Sequence, residues 1–139
     1  MIILKISSKY VRWAMIIFSV FILFRGHNYP GGGFIGGILA GSGILYDALA
    51  NTIEKVHNYR LVKPFRIFTL GLIICLLASL AGMFLDNSIF QGYWTGISIP
   101  LFGEIKLGTP LLFDVGIYLA VMGSYLLIIY SIMEELEWK

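Results

Sequence analysis

Residues 67–85 read Ile67-Phe68-Thr69-Leu70-Gly71-Leu72-Ile73-Ile74-Cys75-Leu76-Leu77-Ala78-Ser79-Leu80-Ala81-Gly82-Met83-Phe84-Leu85, without one charged side chain. The stretch from Val115 to Met133 is uncharged in the same way. At 1.5 Å of rise per residue, about 20 apolar residues are what a helix needs to cross a hydrocarbon layer about 30 Å thick. A soluble domain keeps a wet face on every element, and these windows have none. The fold class is therefore all-α and integral to a membrane.

Working outward, the 139 residues make a single domain, 58% hydrophobic and only 13% charged. Four spans are expected, at about 6–25, 31–50, 65–85 and 109–133. The first is short: Trp13 to Phe24 gives 12 uncharged residues, about 18 Å of helix. It reaches full length when Lys9 and Arg12 snorkel towards the headgroups. Behind its lysines it resembles a signal peptide, but no small-residue cleavage site follows, so it is read as retained. Pro30 opens the second span and Pro64 stands just ahead of the third. The fourth starts with Thr109 as N-cap and Pro110 at the first helical position, where a missing N–H costs nothing. Cys75, the single cysteine, lies mid-span and is read as packing; one thiol makes neither an internal disulfide nor a two-cysteine metal site.

Orientation follows from the cations beside the spans. Lys5, Lys9, Arg12, Lys55, Arg60, Lys63, Arg66 and Lys139 fall on one side, and only Arg25 and Lys106 on the other. Both termini and the 51–64 loop are expected in the cytoplasm, which makes this a multi-pass protein of the cell membrane. The loop's basic residues read as a solvated positive-inside segment and not as a nucleic-acid surface. The opposite loop, 86–108, is long for a helix connection and carries Phe90, Tyr93, Trp94 and Phe102. It is expected to be partly extended or hairpin-like and to lie on protein or at the interface.

The most unusual segment is Phe24-Arg25-Gly26-His27-Asn28-Tyr29-Pro30-Gly31-Gly32-Gly33-Phe34-Ile35-Gly36-Gly37. It packs six glycines into the turn between the first two spans and the opening of the second. Since an interior helical glycine costs roughly 1 kcal/mol against alanine, so many imply close approach or an irregular backbone. Gly33, Gly37 and Gly41 are spaced by four, as are Gly32, Gly36 and Ala40, which makes two adjacent small-residue rows of the kind that let membrane helices touch. The alternative is a partly unwound opening at Gly31–Gly33, whose free backbone groups line a polar cavity. Arg25 reads as an interfacial anchor. His27 reads either as a turn residue bonded to backbone or as a proton-exchanging group, since histidine titrates near neutral pH.

Two carboxylates fall inside spans, where charge is costly and marks candidate functional sites. Asp114 lies in the second turn of the last helix, where the macrodipole also favours an acid. Asp47 lies near the cytoplasmic end of the second helix, where snorkelling to the headgroups is the plain explanation. With His27 they are the candidate ion-path residues. No nucleophile–base pair, metal-ligand cluster or phosphate loop is present in the sequence, so neither an enzyme nor a bound cofactor is expected.

Residues 25–37 resemble the signature of the B subunit of Mrp-type (also called Mnh) multisubunit cation/proton antiporters. Gly108-Thr109-Pro110-Leu111-Leu112-Phe113-Asp114-Val115-Gly116-Ile117-Tyr118-Leu119 is similar to the opening of that family's last helix, with isoleucine at 117 where valine is common. The resemblance covers essentially the whole chain. It implies a hetero-oligomer of about seven different subunits that exchanges Na⁺ for protons, those two ions being transported and not cofactors. It makes Arg25, His27, Asn28, Pro30, Gly31, Gly32, Gly33, Phe34, Asp114 and Gly116 the motif residues. The corresponding component of a membrane-bound hydrogenase complex is the alternative assignment. Within either assembly, the polar groups line the cation route or the chain is a scaffold whose glycine face meets neighbouring subunits.

Overall fold

The computed structural model describes residues 2–25, 32–50, 63–86, 94–99 and 103–137. In chain order these are α1 (Ile2–Arg25), α2 (Gly32–Ala50), α3 (Pro64–Asp86), the strands β1 (Trp94–Ile99) and β2 (Gly103–Gly108), and α4 (Thr109–Glu137). All four helices are long and apolar enough to cross a membrane. Pro64 occupies the first helical position of α3, where it has no N–H to lose. The Lys63 carbonyl accepts from the N–H groups of Arg66 and Ile67 to start the ladder. Hydroxyls inside the helices bond back to their own turns: Thr69 donates to the Phe65 carbonyl and Ser79 to that of Cys75. Such back-bonding satisfies a polar side chain where no water is available.

The helices lie side by side in the order α1, α2, α4, α3, each packing on its neighbour in that row. α1 and α2 form an antiparallel pair, Ser19 lying beside Gly36 and Arg12 beside Gly43. α2 and α4 run parallel, since Gly33 meets Asp114 and Gly37 meets Tyr118. α3 and α4 are antiparallel, with Gly71 against Ala120 and Gly123 against Phe68. The start of α1 and the end of α4 therefore lie at the same end of the row. Between α3 and α4 the chain makes a two-stranded antiparallel hairpin, in register from Trp94↔Gly108 to Ile99↔Gly103.

Without a hydrophobic drive between helices in lipid, close van der Waals contact must hold them together, and small residues provide it at every seam. The α2 rows resolve into two faces. Gly33, Gly37 and Gly41 turn to α4, and Gly36 and Gly43 turn to α1. This corrects the expectation that the glycine face meets other subunits: these glycines are buried against helices of their own chain. The α3–α4 seam is built from Gly71, Cys75 and Ala78 against Gly116, Ala120 and Gly123. Bulky side chains are displaced outward, and Ile17, Phe18, Phe21, Leu72, Ile73, Leu76 and Leu77 are exposed. Leu23, Ala40 and Tyr118, flanked by Val115, Leu119 and Met122, form the small core where α1, α2 and α4 meet.

Candidate functional site

The polar groups of the spans gather along the α1–α2–α4 contact at separate levels. At the level where α1 begins and α2 ends, Asp47 is 3% exposed. Ser8 Oγ donates to Asp47 Oδ1 at 2.7 Å, and Arg12 Nη1 donates to Asp47 Oδ2 at 2.7 Å. The spacing explains the arrangement. Ser8 and Arg12 are four apart on α1, so both project from one helix face. Gly43, one turn before Asp47 on α2, lets α1 come close, its missing Cβ leaving room for the Arg12 carbonyl and the Met15 side chain. The guanidinium also lies over the Trp13 ring, 5.6 Å from its centroid, a favourable cation–π contact. The expectation that Asp47 and Arg12 snorkel to the headgroups is thus corrected. They pair with each other inside the protein, and burial is tolerable because each charge has a partner.

One level further along, Ser19 Oγ donates to the Ile16 carbonyl at 2.7 Å and lies 2.9 Å from the Tyr118 hydroxyl. With the serine proton committed to Ile16, the tyrosine is the donor in that second bond. Between these levels, Ser42 Oγ reaches the Tyr125 hydroxyl at 3.4 Å. At the far end the backbone of Asp114 meets Gly33, and Asp114 is half-buried.

Gly33, beside Asp114, and Asp47 are fourteen residues apart on one helix, about 21 Å at 1.5 Å per residue. The two carboxylates therefore belong to opposite ends of the spans and do not share a site. Among the described residues no group of three or more His, Cys, Asp or Glu side chains could hold a metal ion. His27, Asn28, Pro30 and Gly31 lie outside the described residues. α2 is regular from Gly32, so an unwound opening does not include Gly32 and Gly33, which are buried helical positions. Arg25 ends α1 and is exposed, as an interfacial anchor would be. Phe34 is 53% exposed and points away from the α1 and α4 seams. Pro110 is half-buried in the first turn of α4. Gly116 is buried, and a Cβ there would meet the Cys75 sulfur at 2.6 Å and the Gly71 carbonyl at 2.9 Å.

A family model described as a domain related to the MnhB subunit of Na⁺/H⁺ antiporters matches residues 3–127. The chain belongs to the MnhB family. Its similarity to individual MnhB-family proteins runs nearly end to end. It is 34% identical to the B subunit of a Na⁺/H⁺ antiporter from Alkalihalophilus pseudofirmus over 134 residues, 96% of this chain and 93% of that protein. It is 33% identical to the Na⁺/H⁺ antiporter B subunit of Bacillus subtilis, over 96% of this chain and 94% of that one. Among solved structures, the Mrp complex from Dietzia sp. contains a similar unit, with a TM-score of 0.73 and 31% identity over 94% of this chain. There the match spans 14% of a much longer chain. Ser8, Ser19 and Tyr118 are contributors that sequence reasoning did not single out, and Arg12 was read there only as a snorkelling cation and not as the partner of Asp47. For Ser8, Arg12 and Ser19 the signal was their spacing of four and seven along one face of α1; Tyr118, on α4, carried none beyond its place one turn after Asp114.

Proposed function

We propose that this chain is the B-type subunit of a multisubunit Na⁺/H⁺ antiporter, and that its part in exchange is to hold larger membrane subunits in place. The assembly holds about seven different chains in the cytoplasmic membrane, with both termini of this subunit inside. An antiporter is favoured over a hydrogenase-associated complex because the relatives matched over 93% and 94% of their length are antiporter subunits by name. The reading is of a transport subunit and not of an enzyme.

The single observation that carries the scaffold role is the use of Asp47. The most buried carboxylate of the described spans holds both its oxygens on Arg12 and Ser8 of the same chain, which leaves it committed to structure and not to a passing cation. Deleting the chain and resupplying variants, then measuring Na⁺-dependent proton movement in everted vesicles with assembly checked on native gels, tests this. Exchange is expected to vanish without the chain and to persist in assembled Asp114→Asn complexes. Exchange that survives deletion overturns the proposal.

A second reading has one observation in its favour: half-buried Asp114 stands against the glycine-rich opening of α2. If Asp114→Asn complexes assemble but do not exchange, Asp114, with His27 on the same side, belongs to the ion route. Orientation is tested separately by reporters at each end, both expected to report the cytoplasm.

A further inference from the structure

α1 is poorly suited to the bilayer on its own. Only 12 uncharged residues separate Arg12 from Arg25, about 18 Å against a hydrocarbon thickness of about 30 Å. Arg25, exposed at one end, can reach headgroups. Arg12 points instead into the α1–α2 contact, roughly 6 Å inside the hydrocarbon boundary if the segment is centred. Arginine does not escape by losing its proton. An Arg12 without a partner must therefore pull α1 towards the cytoplasmic headgroups or stay charged in hydrocarbon.

In this structure Arg12 has such a partner. Asp47 supplies the counter-charge at 2.7 Å, Ser8 fills the second carboxylate oxygen, and the Trp13 ring lies over the guanidinium. Trp13 is itself half-exposed, so it stands between the charge and the surroundings of the bundle. Gly43 completes the device, because a Cβ there would lie 2.9 Å from Met15 Cβ and would push α1 off α2.

We propose that the Arg12–Asp47 pair is what fixes the depth of α1 in the membrane. α1 holds its transmembrane register only once α2 has brought Asp47 beside it, so the α1–α2 hairpin, and not α1 alone, is the unit that inserts. This goes beyond the antiporter assignment and does not depend on it, because its readout is helix depth and not exchange.

The experiment uses the full chain in membrane vesicles, with Cys75→Ser and a single reporter, Ala14→Cys, on the exposed side of α1. The probe is a membrane-impermeant maleimide applied from the side of the termini. In the otherwise native chain the reporter is shielded by lipid. In Asp47→Leu, Arg12 draws α1 outward and labelling rises on the order of tenfold. Gly43→Leu, which changes no charge but separates the partners, moves it the same way. The deciding variant is Arg12→Leu with Asp47→Leu together. With the Arg12 charge gone, and Lys9 exposed one turn nearer the headgroups in every variant alike, α1 returns to its native depth and labelling falls back to the starting rate. A merely structural contact would leave this double variant at least as disturbed as Asp47→Leu. If Asp47→Leu fails to accumulate, the same comparison is read as yield, with the double variant recovering and the single one not. A reporter that stays shielded in Asp47→Leu, or a double variant that is not rescued, overturns the proposal.

Discussion

Substituting Gly71 by alanine tests how tightly α3 is bound to the rest of the molecule. The added methyl would meet the Ala120 backbone nitrogen, the Gly116 carbonyl oxygen at 2.7 Å and Ala120 Cα at 2.8 Å. Carbon contacts settle at about 3.5–4.0 Å, so α3 and α4 must part by something on the order of 1 Å. All three neighbours are backbone or Cα atoms of α4, and no rotamer change can make room. Overpacking of this kind costs about 1–3 kcal/mol, and alanine's better helix propensity returns at most about 1 kcal/mol. Because every contact is with backbone, the cost falls in the upper half of that range, and a net loss of about 1–2 kcal/mol raises the open fraction of the seam roughly 5- to 30-fold. The chain carries its own reporter. Cys75, the single cysteine, lies on that seam with its Sγ 3.6 Å from the Phe113 carbonyl. Maleimide labelling of the purified chain in detergent should therefore accelerate by the same factor, provided opening is fast relative to reaction. Gly41→Ala is the control. Its nearest neighbours all belong to the Tyr125 side chain, the closest at 2.8 Å, and on another seam, so Cys75 labelling should not change. A Gly71→Ala protein labelled as slowly as the wild type, or a Gly41→Ala protein labelled as fast, refutes the reasoning.

Three further outcomes are expected. Ser19→Ala should destabilise the chain more than Tyr118→Phe. The first strands a buried tyrosine O–H at about 1–3 kcal/mol, whereas the second removes a donor from a serine that still bonds Ile16; a thermal-melt double-mutant cycle reads the coupling. Gly36→Leu should disrupt the subunit itself, since a Cβ there already lies 2.9 Å from the Ser19 carbonyl and 3.1 Å from the Tyr118 ring. Loss of a monodisperse chain on gel filtration checks it, and a well-behaved chain that only fails to join a complex contradicts it. Phe34→Ala, by contrast, should leave the melting temperature of the isolated chain within about 2 °C, because the ring is 53% exposed and exposed substitutions usually stay within about ±0.5 kcal/mol. Co-purification of partner subunits is where its loss should be felt.

The four helices were legible because a span is a local property: uninterrupted apolar length is written in consecutive residues, as in Ile67–Leu85. The fate of the α2 glycines was only half legible. Their spacing announced a packing face, but not which helix it would meet, and two rows on one helix can serve two neighbours of the same chain. The α3–α4 seam went unread although its signal was present. Gly71, Cys75 and Ala78 are spaced four then three, and so are Gly116, Ala120 and Gly123, the matching halves of an antiparallel contact. The Arg12–Asp47 pair was hidden for a different reason. Asp47 sits near the end of α2 and Arg12 at the edge of the uncharged stretch of α1, where snorkelling is a sufficient local explanation, and the pairing is a relation between residues 35 apart that no single window contains. Of the most distinctive segment, residues 26–31, His27 among them, fall outside the described residues, while Gly33, Gly36 and Gly37 form the seams with α1 and α4.

These arrangements share one consequence. Where helices of this chain meet, glycine and alanine occupy the seams and the polar side chains are taken up by each other. Arg12 is answered by Asp47, Tyr118 by Ser19, and Ser19 in turn by its own helix. The surface left for neighbours is consequently made of large apolar side chains on the outer faces of α1 and α3 and at Phe34. In lipid such side chains gain little from burial as such, so contact with another subunit must be won by shape and close packing. A row of helices joined internally by small residues presents rigid apolar ridges to both sides. That is the form expected of a part that sits between larger bodies and keeps their separation fixed, and its internal charge pair serves the same end by holding α1, the helix with the short uncharged stretch, at its depth.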